Sequence, residues 1–409
     1  MTTADDALSP SAGNMPTHHP RRPKPPHTQP SPRARHQSVH GHAQKSNASP
    51  ADMPRHRSDV RDQQQRISPA RRQWVVVETL SAGTRPSVIV DGSYRRHFAN
   101  VNRVSIATSA AVARRLQPVV DHCAISGQSQ LDIVQLPSGT ALRIVAVPVI
   151  GPDGRVYGVG LWTGAMHEAT PPIPPIGTIE WTAHTGTART SLALEHLLGV
   201  PATKRVSERT LPDLMARFDR CDDRINLLAL FDPSHPVGSW TGTAATRFTD
   251  TGRRHLYIAA RTASHQGAAR IIRGIVCDIS DIAPPPAADL GSMTWRHVPT
   301  KPGHAVGIVD INTWLIHEWI TVDHPMLNSW LHQSPELHPD DTTALASART
   351  QVLDTGQAMR NFRLRFRGQL RWLQVRAEWT RMSNDDRPQA LMDAFPCPPI
   401  SIPLPPVAP

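Results

Sequence analysis

The sequence is poor in several features that would define a secreted, disulfide-bonded or membrane-spanning protein. Its four cysteines are far apart and form no Cys-x-x-Cys pair, which argues against a disulfide framework or a zinc site. No apolar segment follows the first methionine, so no secretory signal is expected. The longest apolar run, residues 144–150, is far shorter than the roughly 20 residues of a membrane helix. We therefore expect a soluble, cytoplasmic protein with reduced cysteines.

Motifs of the common enzyme classes are also missing. The chain has no Gly-x-x-x-x-Gly-Lys-Ser/Thr phosphate loop, no nucleotide-binding glycine motif opening a βαβ unit, and no Gly-x-Ser-x-Gly nucleophile motif. The sequence therefore favours a protein without catalytic activity. Abundant Arg, Ala and Pro with little Lys are typical of a GC-rich genome such as that of an actinobacterium.

Charged residues make up only 19% of the chain, and the excess of positive charge lies at the N-terminus. Residues 1–72 hold twelve Lys or Arg and five Asp or Glu, which accounts for +7 of the net charge of +10. Residues 1–70 are dominated by Pro, Ser, His, Gln and Arg and cannot bury enough apolar surface to fold, so we expect a disordered basic tail. Its Pro-rich stretches suit docking to a protein, and its arginines suit nucleic-acid phosphates. Because residues 1–70 contain no Phe, Trp or Tyr, a nucleic-acid role is the weaker interpretation.

The forty prolines also mark boundaries between predicted domains. The run Pro171-Pro172-Ile173-Pro174-Pro175 indicates a stiff linker, and Pro284-Pro285-Pro286 indicates a second one. The boundaries that follow are a domain at residues 71–166, a linker at 167–176, a domain at 177–283, a linker at 284–288, a domain at 289–390, and a Pro-rich disordered tail at 391–409.

The first predicted domain ends in a hairpin. Alternating apolar residues predict strands at residues 141–150 and 155–162, joined by the turn Gly151-Pro152-Asp153-Gly154. A helix is predicted over residues 107–120. The ending "P-V-x-x-x-D-G-x-x-x-G-V", residues 148–159, resembles the strand pair that closes a GAF or PAS domain. We take this domain as GAF-like, with a divergent PAS domain as the alternative.

The second predicted domain contains a strand, short helices and three antiparallel strands, in that order. It closes with Arg273-Gly274-Ile275-Val276-Cys277-Asp278-Ile279-Ser280-Asp281. This segment resembles the "R-G-x-x-x-D-I-T-D/E" ending of PAS sensor domains, with Ser280 where that family usually has Thr.

The third predicted domain repeats the plan of the second. His338-Pro339-Asp340-Asp341 stands where Asp222-Asp223-Arg224 stood, and a helix that ends at Gly356 follows. "H-P-D-D" followed by "F-R-L-R-F-R-G-Q-L-R-W-L" resembles the core of PAS domains. The usual ending is missing, so we expect a degenerate PAS domain with a poor or short last strand. We interpret the paired aspartates and His338 as helix caps, not as acid–base catalysts or ligands.

The resemblance implies an α+β fold of tandem PAS/GAF-like domains, each a curved antiparallel sheet with flanking helices that can enclose a pocket. Core packing competes with pocket lining as the role of its aromatic residues. The pocket candidates in the second domain are Trp181, His196, Phe218, Trp240, Phe248 and Tyr257. Those in the third domain are Trp314, Phe362, Phe366 and Trp372, with Trp319, Trp330 and Trp379 as further members of the same set.

The sequence does not decide which cofactor, if any, the domains bind. Haem would need an axial histidine, for which His196 and His122 are the candidates. A flavin photosensor would need the family's Asn-Cys-Arg-Phe-Leu motif, and the sequence around Cys221 does not match it. No metal site is expected.

The resemblance implies a cytosolic sensory protein without an output domain, which detects a small molecule or a protein and acts on a separate output protein through changed association. We expect a protein partner or a homodimer and no membrane insertion. The alternative is a constitutive scaffold or dimerisation protein with filled cores. A nucleic-acid-associated regulator that uses the basic tail is a weaker alternative.

Overall fold

The computed structural model describes residues 74–397, except residues 82, 237, 250–251, 264–268, 289–293 and 295–298. The predicted N-terminal tail, residues 1–70, and residues 398–409 of the predicted C-terminal tail lie outside the described residues. Within the described part, no helix has both the length and the apolar character that a membrane crossing requires.

The described residues form three antiparallel sheets with helices packed on them, so the α+β fold with antiparallel sheets is confirmed. The first sheet has the order β3-β2-β1-β6-β5-β4, and helix α1 lies against β4, β5 and β6. Its elements are β1 Val75–Glu78, β2 Ser87–Asp91, β3 Tyr94–Asn100, α1 Ala110–Ser126, β4 Gln130–Gln135, β5 Ala141–Ile150 and β6 Val156–Ala165.

The second sheet has the order β10-β11-β12-β13-β7-β8-β9. Its strands are β7 Ile176–Thr182, β8 Thr187–Thr190, β9 Glu208–Arg209, β10 Phe218–Cys221, β11 Ser239–Thr246, β12 His255–Ala263 and β13 Ile271–Asp278. Its helices are α2 Leu192–Leu197, α3 Leu211–Met215 and α4 Arg224–Ala229.

The third sheet has the order β15-β14-β19-β18-β17-β16. Its elements are β14 Ala305–Asp310, β15 Leu315–Val322, a 3-10 helix at Pro325–Leu331, β16 Glu336–Leu337, α5 Thr342–Thr355, β17 Gln357–Arg365, β18 Leu373–Arg381 and β19 Gln389–Pro396.

All three sheets follow one plan. The first strand of each lies beside the last, and the last three strands form an antiparallel meander. The sequence indicated this repetition only for the second and third sheets. Local signals mark individual element ends: Gly356 ends α5 with φ +82°, and Gly92 turns β2 into β3 with φ +59°. Both are conformations that glycine adopts without steric cost.

The closing strand of the third sheet differs from the expectation. β19 is eight residues long and is paired on both sides, with β14 and with β18. The predicted poor ending was wrong, and residues 391–396 belong to this strand and not to a tail. The closing strand of the second sheet carries Ile and Val in succession, whereas β19 reads Gln-Ala-Leu-Met-Asp-Ala-Phe-Pro, a weak local β signal that long-range pairing overrides.

The paired aspartates also act differently from the expectation. Asp223 and Asp341 stand at the N-cap positions of α4 and α5, but neither side chain caps its helix. The Asp341 carboxylate instead accepts the backbone N–H of Arg363 at 2.7 Å and its guanidinium at 2.9 and 3.0 Å, which fixes the start of α5 to β17. His338 does cap, because its Nδ1 accepts the N–H of Asp340 at 3.3 Å.

The first and second sheets pack through apolar faces in which Val76, Ile89 and Tyr157 meet Ile275 and Ile279. The Tyr157 hydroxyl also donates to the Glu180 carboxylate at 2.7 Å, and Glu180 accepts from the Arg273 guanidinium at 3.2 Å. Arg273 belongs to the "R-G" motif of the sequence, so this motif joins two sheets.

Candidate functional site

A cavity of about 320 Å³ lies between the inner face of the third sheet and the loops of the second sheet. Its volume falls in the range of about 300–1,000 Å³ that is typical of small-molecule sites. Five of its lining residues are aromatic: Trp314, Trp319, Trp330, Phe362 and Trp379. Its aliphatic lining residues are Val309, Leu315, Ile316, Leu337, Leu345 and Met392.

Trp314 enters the cavity from a strained turn between β14 and β15. Its φ is +63°, which is rare for a residue with a large side chain and costs about 1–3 kcal/mol. The turn is fixed by Asp310, whose backbone carbonyl accepts the Trp314 N–H at 2.7 Å and whose carboxylate accepts the N–H of Thr313 at 2.9 Å. The Trp314 ring therefore has a fixed position in the wall.

The rings of the wall contact one another. The centroid of Trp379 lies 5.1 Å from that of Trp314 and 6.2 Å from that of Phe362, the latter pair stacked. Trp319 and Trp330 meet edge to face at 5.3 Å. Such pairs are stabilised by about 0.5–1.5 kcal/mol beyond their buried area, so the wall is preorganised.

Two of these tryptophans carry an unsatisfied donor. The indole N–H groups of Trp319 and Trp379 are buried and have no hydrogen-bond partner among the described residues. A buried polar group in this state costs about 1–3 kcal/mol. Both side chains line the cavity, so their N–H groups are unsatisfied donors in the wall that would surround a ligand.

The cavity is electrically neutral. The described residues that line it include no Asp, Glu, Lys or Arg. Its polar groups are Thr185, Thr210 and the exposed side chains of His184, Gln333 and Ser334. Within the described part of the chain, no cluster of three or more His, Cys, Asp or Glu could hold a metal ion.

The second sheet supplies part of the cavity lining. His184 and Thr185 lie in the β7–β8 turn, and Thr210 and Pro212 lie at the start of α3. The Thr210 hydroxyl donates to the backbone carbonyl of Leu331 in the third sheet's 3-10 helix at 2.9 Å. The cavity is thus built at the junction of the two sheets.

Further contacts fix this junction. Leu315 of β15 is buried in the hydrophobic core of the second sheet. Arg224 at the start of α4 forms an ion pair with Glu318 of β15, and both side chains are mostly buried. β15 of the third sheet therefore contacts both the core and helix α4 of the second sheet, so a shift of β15 would be felt directly there.

His317, also on β15, is buried and neutral. Its Nε2 lies 2.8 Å from the amide oxygen of Gln389. Burial and the nearby Arg224 lower the pKa of His317 to about 4, because both disfavour the charged ring.

Of the predicted pocket residues in the third domain, the structure brings five together in the cavity: Trp314, Trp319, Trp330, Phe362 and Trp379. Phe366 lies behind it, with its ring centroid 6.4 Å from that of Trp330. Trp372 lies outside, between the Arg365 guanidinium at 4.4 Å and the His338 ring at 4.7 Å.

The predicted residues of the second domain do not form an open pocket. Trp181 and Phe218 surround a residual space of only about 10 Å³. Trp240 is buried and donates its indole N–H to Asp223 at 3.1 Å. Tyr257 faces the first sheet, where its hydroxyl donates to the backbone carbonyl of Arg96 at 2.6 Å.

The remaining candidates of that domain lie at the surface. His196 is exposed, as is His122, so neither has the enclosed position of a haem ligand. Phe248 is 82% exposed and borders a separate groove beside Trp319.

Burial raises the pKa of the Cys221 thiol to about 11, which leaves it protonated at neutral pH.

Sequence reasoning missed the contribution of the second sheet to the cavity. His184, Thr185, Thr210 and Pro212 belong to a turn and a short helix with no motif of their own. Gly186, with φ +66°, indicates a turn, but it does not indicate which distant segment the turn packs against. Only the packing of two distant segments shows their role.

Three comparisons with known proteins bear on this fold. Residues 73–172 match the family model described as Rv3651-like, N-terminal. That match covers the first sheet and ends before the residues of the cavity. A search of curated proteins finds no match to the chain.

Among solved structures, a crystal structure of an uncharacterised protein from Mycobacterium tuberculosis is similar. It has a TM-score of 0.63 and 20% sequence identity, over 80% of this chain and 97% of that chain. At this identity the likeness shows a shared fold and nothing about ligands.

Two sensory proteins give weaker matches. An RNA-binding light-oxygen-voltage receptor has a TM-score of 0.23 and 10% identity, over 54% of this chain and 95% of that chain. A sensory box histidine kinase/response regulator from Burkholderia thailandensis has a TM-score of 0.21 and 19% identity, over 26% of this chain and 79% of that chain. Scores this low carry no argument about this chain.

Proposed function

We propose that this protein is a sensor that binds a small molecule in the cavity of the third sheet and signals its presence to a separate protein partner. One observation carries the proposal: an aromatic cavity of about 320 Å³ is lined jointly by the third sheet and by loops of the second. A ligand in such a cavity contacts both sheets at once. We propose no catalytic step and a cytoplasmic site of action.

The mechanism follows from the junction. Occupancy favours the arrangement in which His184 and Thr185 of the second sheet cover the cavity, because only that arrangement offers the ligand its full set of contacts. The shift reaches α3 through the hydrogen bond between Thr210 and Leu331, and reaches α4 through the Arg224–Glu318 ion pair. The surface of the second sheet would then present the signal to the partner.

In this proposal the third sheet binds the ligand and the second sheet transmits the change. The second sheet has a filled core, made of its own side chains and Leu315 of β15, which suits it to transmit a change as a rigid body. The same filled core favours the second candidate function, a constitutive scaffold that binds partners without a ligand. The cavity of the third sheet supports the sensor over the scaffold.

A thermal-shift screen of the full chain tests the proposal. The screen uses a chemically diverse set of neutral, anionic and cationic compounds on the wild-type protein and on two variants. Trp314→Gly removes an aromatic wall of the cavity at a residue whose φ of +63° suits glycine. Phe248→Ala removes an exposed ring outside the cavity and serves as the matched control.

The sensor proposal expects compounds that stabilise the wild-type protein and Phe248→Ala but not Trp314→Gly. Hydrogen exchange should then slow in residues 183–186 and 210–212 when a hit is bound, because these residues close the cavity. If no compound stabilises the wild type, or if every hit stabilises Trp314→Gly equally, the sensor proposal is wrong and the scaffold function remains.

A further inference from the structure

We infer that the ligand of the third-sheet cavity is an uncharged, planar aromatic molecule of about two fused rings that carries one hydrogen-bond acceptor. This inference rests on the proposed function and names the class of ligand that the same cavity takes. Four properties of the cavity lead to it: charge, wall shape, volume and unsatisfied donors.

The lining disfavours a charged group inside the cavity. The lining residues include no Asp, Glu, Lys or Arg to pair with a charged group, and six of them are aliphatic. Moving a charged group from water into such a site without a partner costs several kcal/mol. A carboxylate or phosphate would therefore have to stay at the polar mouth formed by His184, Gln333 and Ser334, which are exposed.

The walls select a flat molecule. The ring centroid of Trp379 lies 5.1 Å from that of Trp314 and 6.2 Å from that of Phe362, and Trp319 and Trp330 add further ring surface. Aromatic rings gain stabilisation from stacked and edge-to-face contacts that a saturated ring cannot make. The strained backbone of Trp314 supports the same conclusion, because a glycine there would relieve the strain but remove the ring.

The cavity volume and its unsatisfied N–H donors indicate the size of the ligand and its polar group. The cavity of about 320 Å³ lies at the lower end of the range of about 300–1,000 Å³ for small-molecule sites, which suits a molecule of one or two rings. The indole N–H groups of Trp319 and Trp379 have no partner among the described residues. An uncharged oxygen or nitrogen acceptor on the ligand would satisfy one of them.

A quaternary ammonium cation is the chief competitor, since aromatic residues attract cations through their ring faces. The described lining offers no carboxylate to offset the desolvation of a cation, and its six aliphatic residues have no attraction for one. The neutral ligand is therefore favoured, and the cation is an outcome that the test includes.

Isothermal titration calorimetry of the full chain with four two-ring probes tests the class. Naphthol is neutral and planar, naphthoate is its anionic analogue at neutral pH, N-methylquinolinium is cationic, and decahydronaphthol is neutral and not planar. We expect naphthol to bind at least about tenfold more tightly than each of the other three, which corresponds to about 1.4 kcal/mol.

Two variants place the binding in the cavity. Trp314→Gly should weaken naphthol binding by about tenfold or more because a stacking wall is lost. Trp372→Ala should leave the affinity unchanged, because Trp372 is a half-buried tryptophan of the same sheet that lies outside the cavity. Equal losses in both variants would overturn the assignment of the site.

The outcomes separate the ligand class from the function. Trp314-dependent binding that prefers naphthoate or N-methylquinolinium would overturn the neutral class and still support a sensor. Equal binding of naphthol and decahydronaphthol would overturn the planar requirement. No Trp314-dependent binding of any probe would overturn the inference, and the sensor proposal would fall as well only if the diverse screen also gave no Trp314-dependent compound.

Discussion

The ring centroid of Trp314 lies 5.1 Å from that of Trp379, and the Trp314 backbone that presents this ring is in the left-handed conformation. Strain of this kind persists where the surrounding structure fixes it, and it often marks a functional site. Here the carbonyl and carboxylate of Asp310 hold the turn that presents the ring. The strain at Trp314 and the open aromatic wall are therefore parts of one arrangement.

Substitution of Trp314 should reverse the usual ranking of alanine and glycine. Both Trp314→Ala and Trp314→Gly lose the ring contact, but only alanine retains an unfavourable positive φ. We expect the glycine variant to be more stable than the alanine variant by about 0.5–1 kcal/mol in urea unfolding. A more stable alanine variant would mean that the turn relaxes and stores no strain.

His317 should make stability fall in mild acid. Its pKa is 6.5 in the unfolded chain and is lowered to about 4 in the folded protein by burial and by Arg224, while Gln389, Glu318 and Asp310 oppose the shift. The unfolded chain therefore binds the proton first as pH falls. Stability is full above about pH 6.5 and should drop by up to about 3 kcal/mol as the pH falls towards 4.

The check compares the pH dependence of unfolding for wild type and His317→Asn. The wild type should lose more stability than the variant between about pH 7 and pH 4, whatever the variant's stability at neutral pH. Parallel curves would show that His317 is solvated or charged in the folded protein.

Tyr157→Phe should weaken the contact between the first and second sheets. The substitution deletes the hydroxyl that donates to Glu180 at 2.7 Å, and a hydrogen bond to a charged group contributes about 1.5–3 kcal/mol. We expect a loss of about that size in the free energy of unfolding. Tyr94→Phe is the matched control, because Tyr94 is 65% exposed and should change stability by less than about 0.5 kcal/mol.

Trp181 should behave as core and not as a ligand wall. It is buried with its ring 6.0 Å from that of Phe231, and the space around it is only about 10 Å³. Trp181→Ala should cost about 3–5 kcal/mol, the usual price of a large cavity in a packed core. A cost well below about 3 kcal/mol would show that Trp181 does not fill a packed core.

The sequence by itself determined the local elements of this protein. β5 spans residues 141–150 as predicted, and α5 ends at Gly356. Alternation of apolar residues, glycines that adopt positive φ and the apolar period of a helix are properties of neighbouring residues. For that reason these elements, and the likeness between the second and third sheets, could be derived without coordinates.

Only the tertiary structure decided which aromatic residues face a cavity. Trp181 and Trp314 look alike in sequence, yet one fills a core and the other lines an opening, while Phe248 is exposed. β19 likewise forms because β14 and β18 pair with it, and not because of its own residues. Burial and strand pairing depend on segments that are distant in the chain. No local pattern therefore predicts that His184 and Thr185 line the cavity, because they do so only where the second and third sheets pack together.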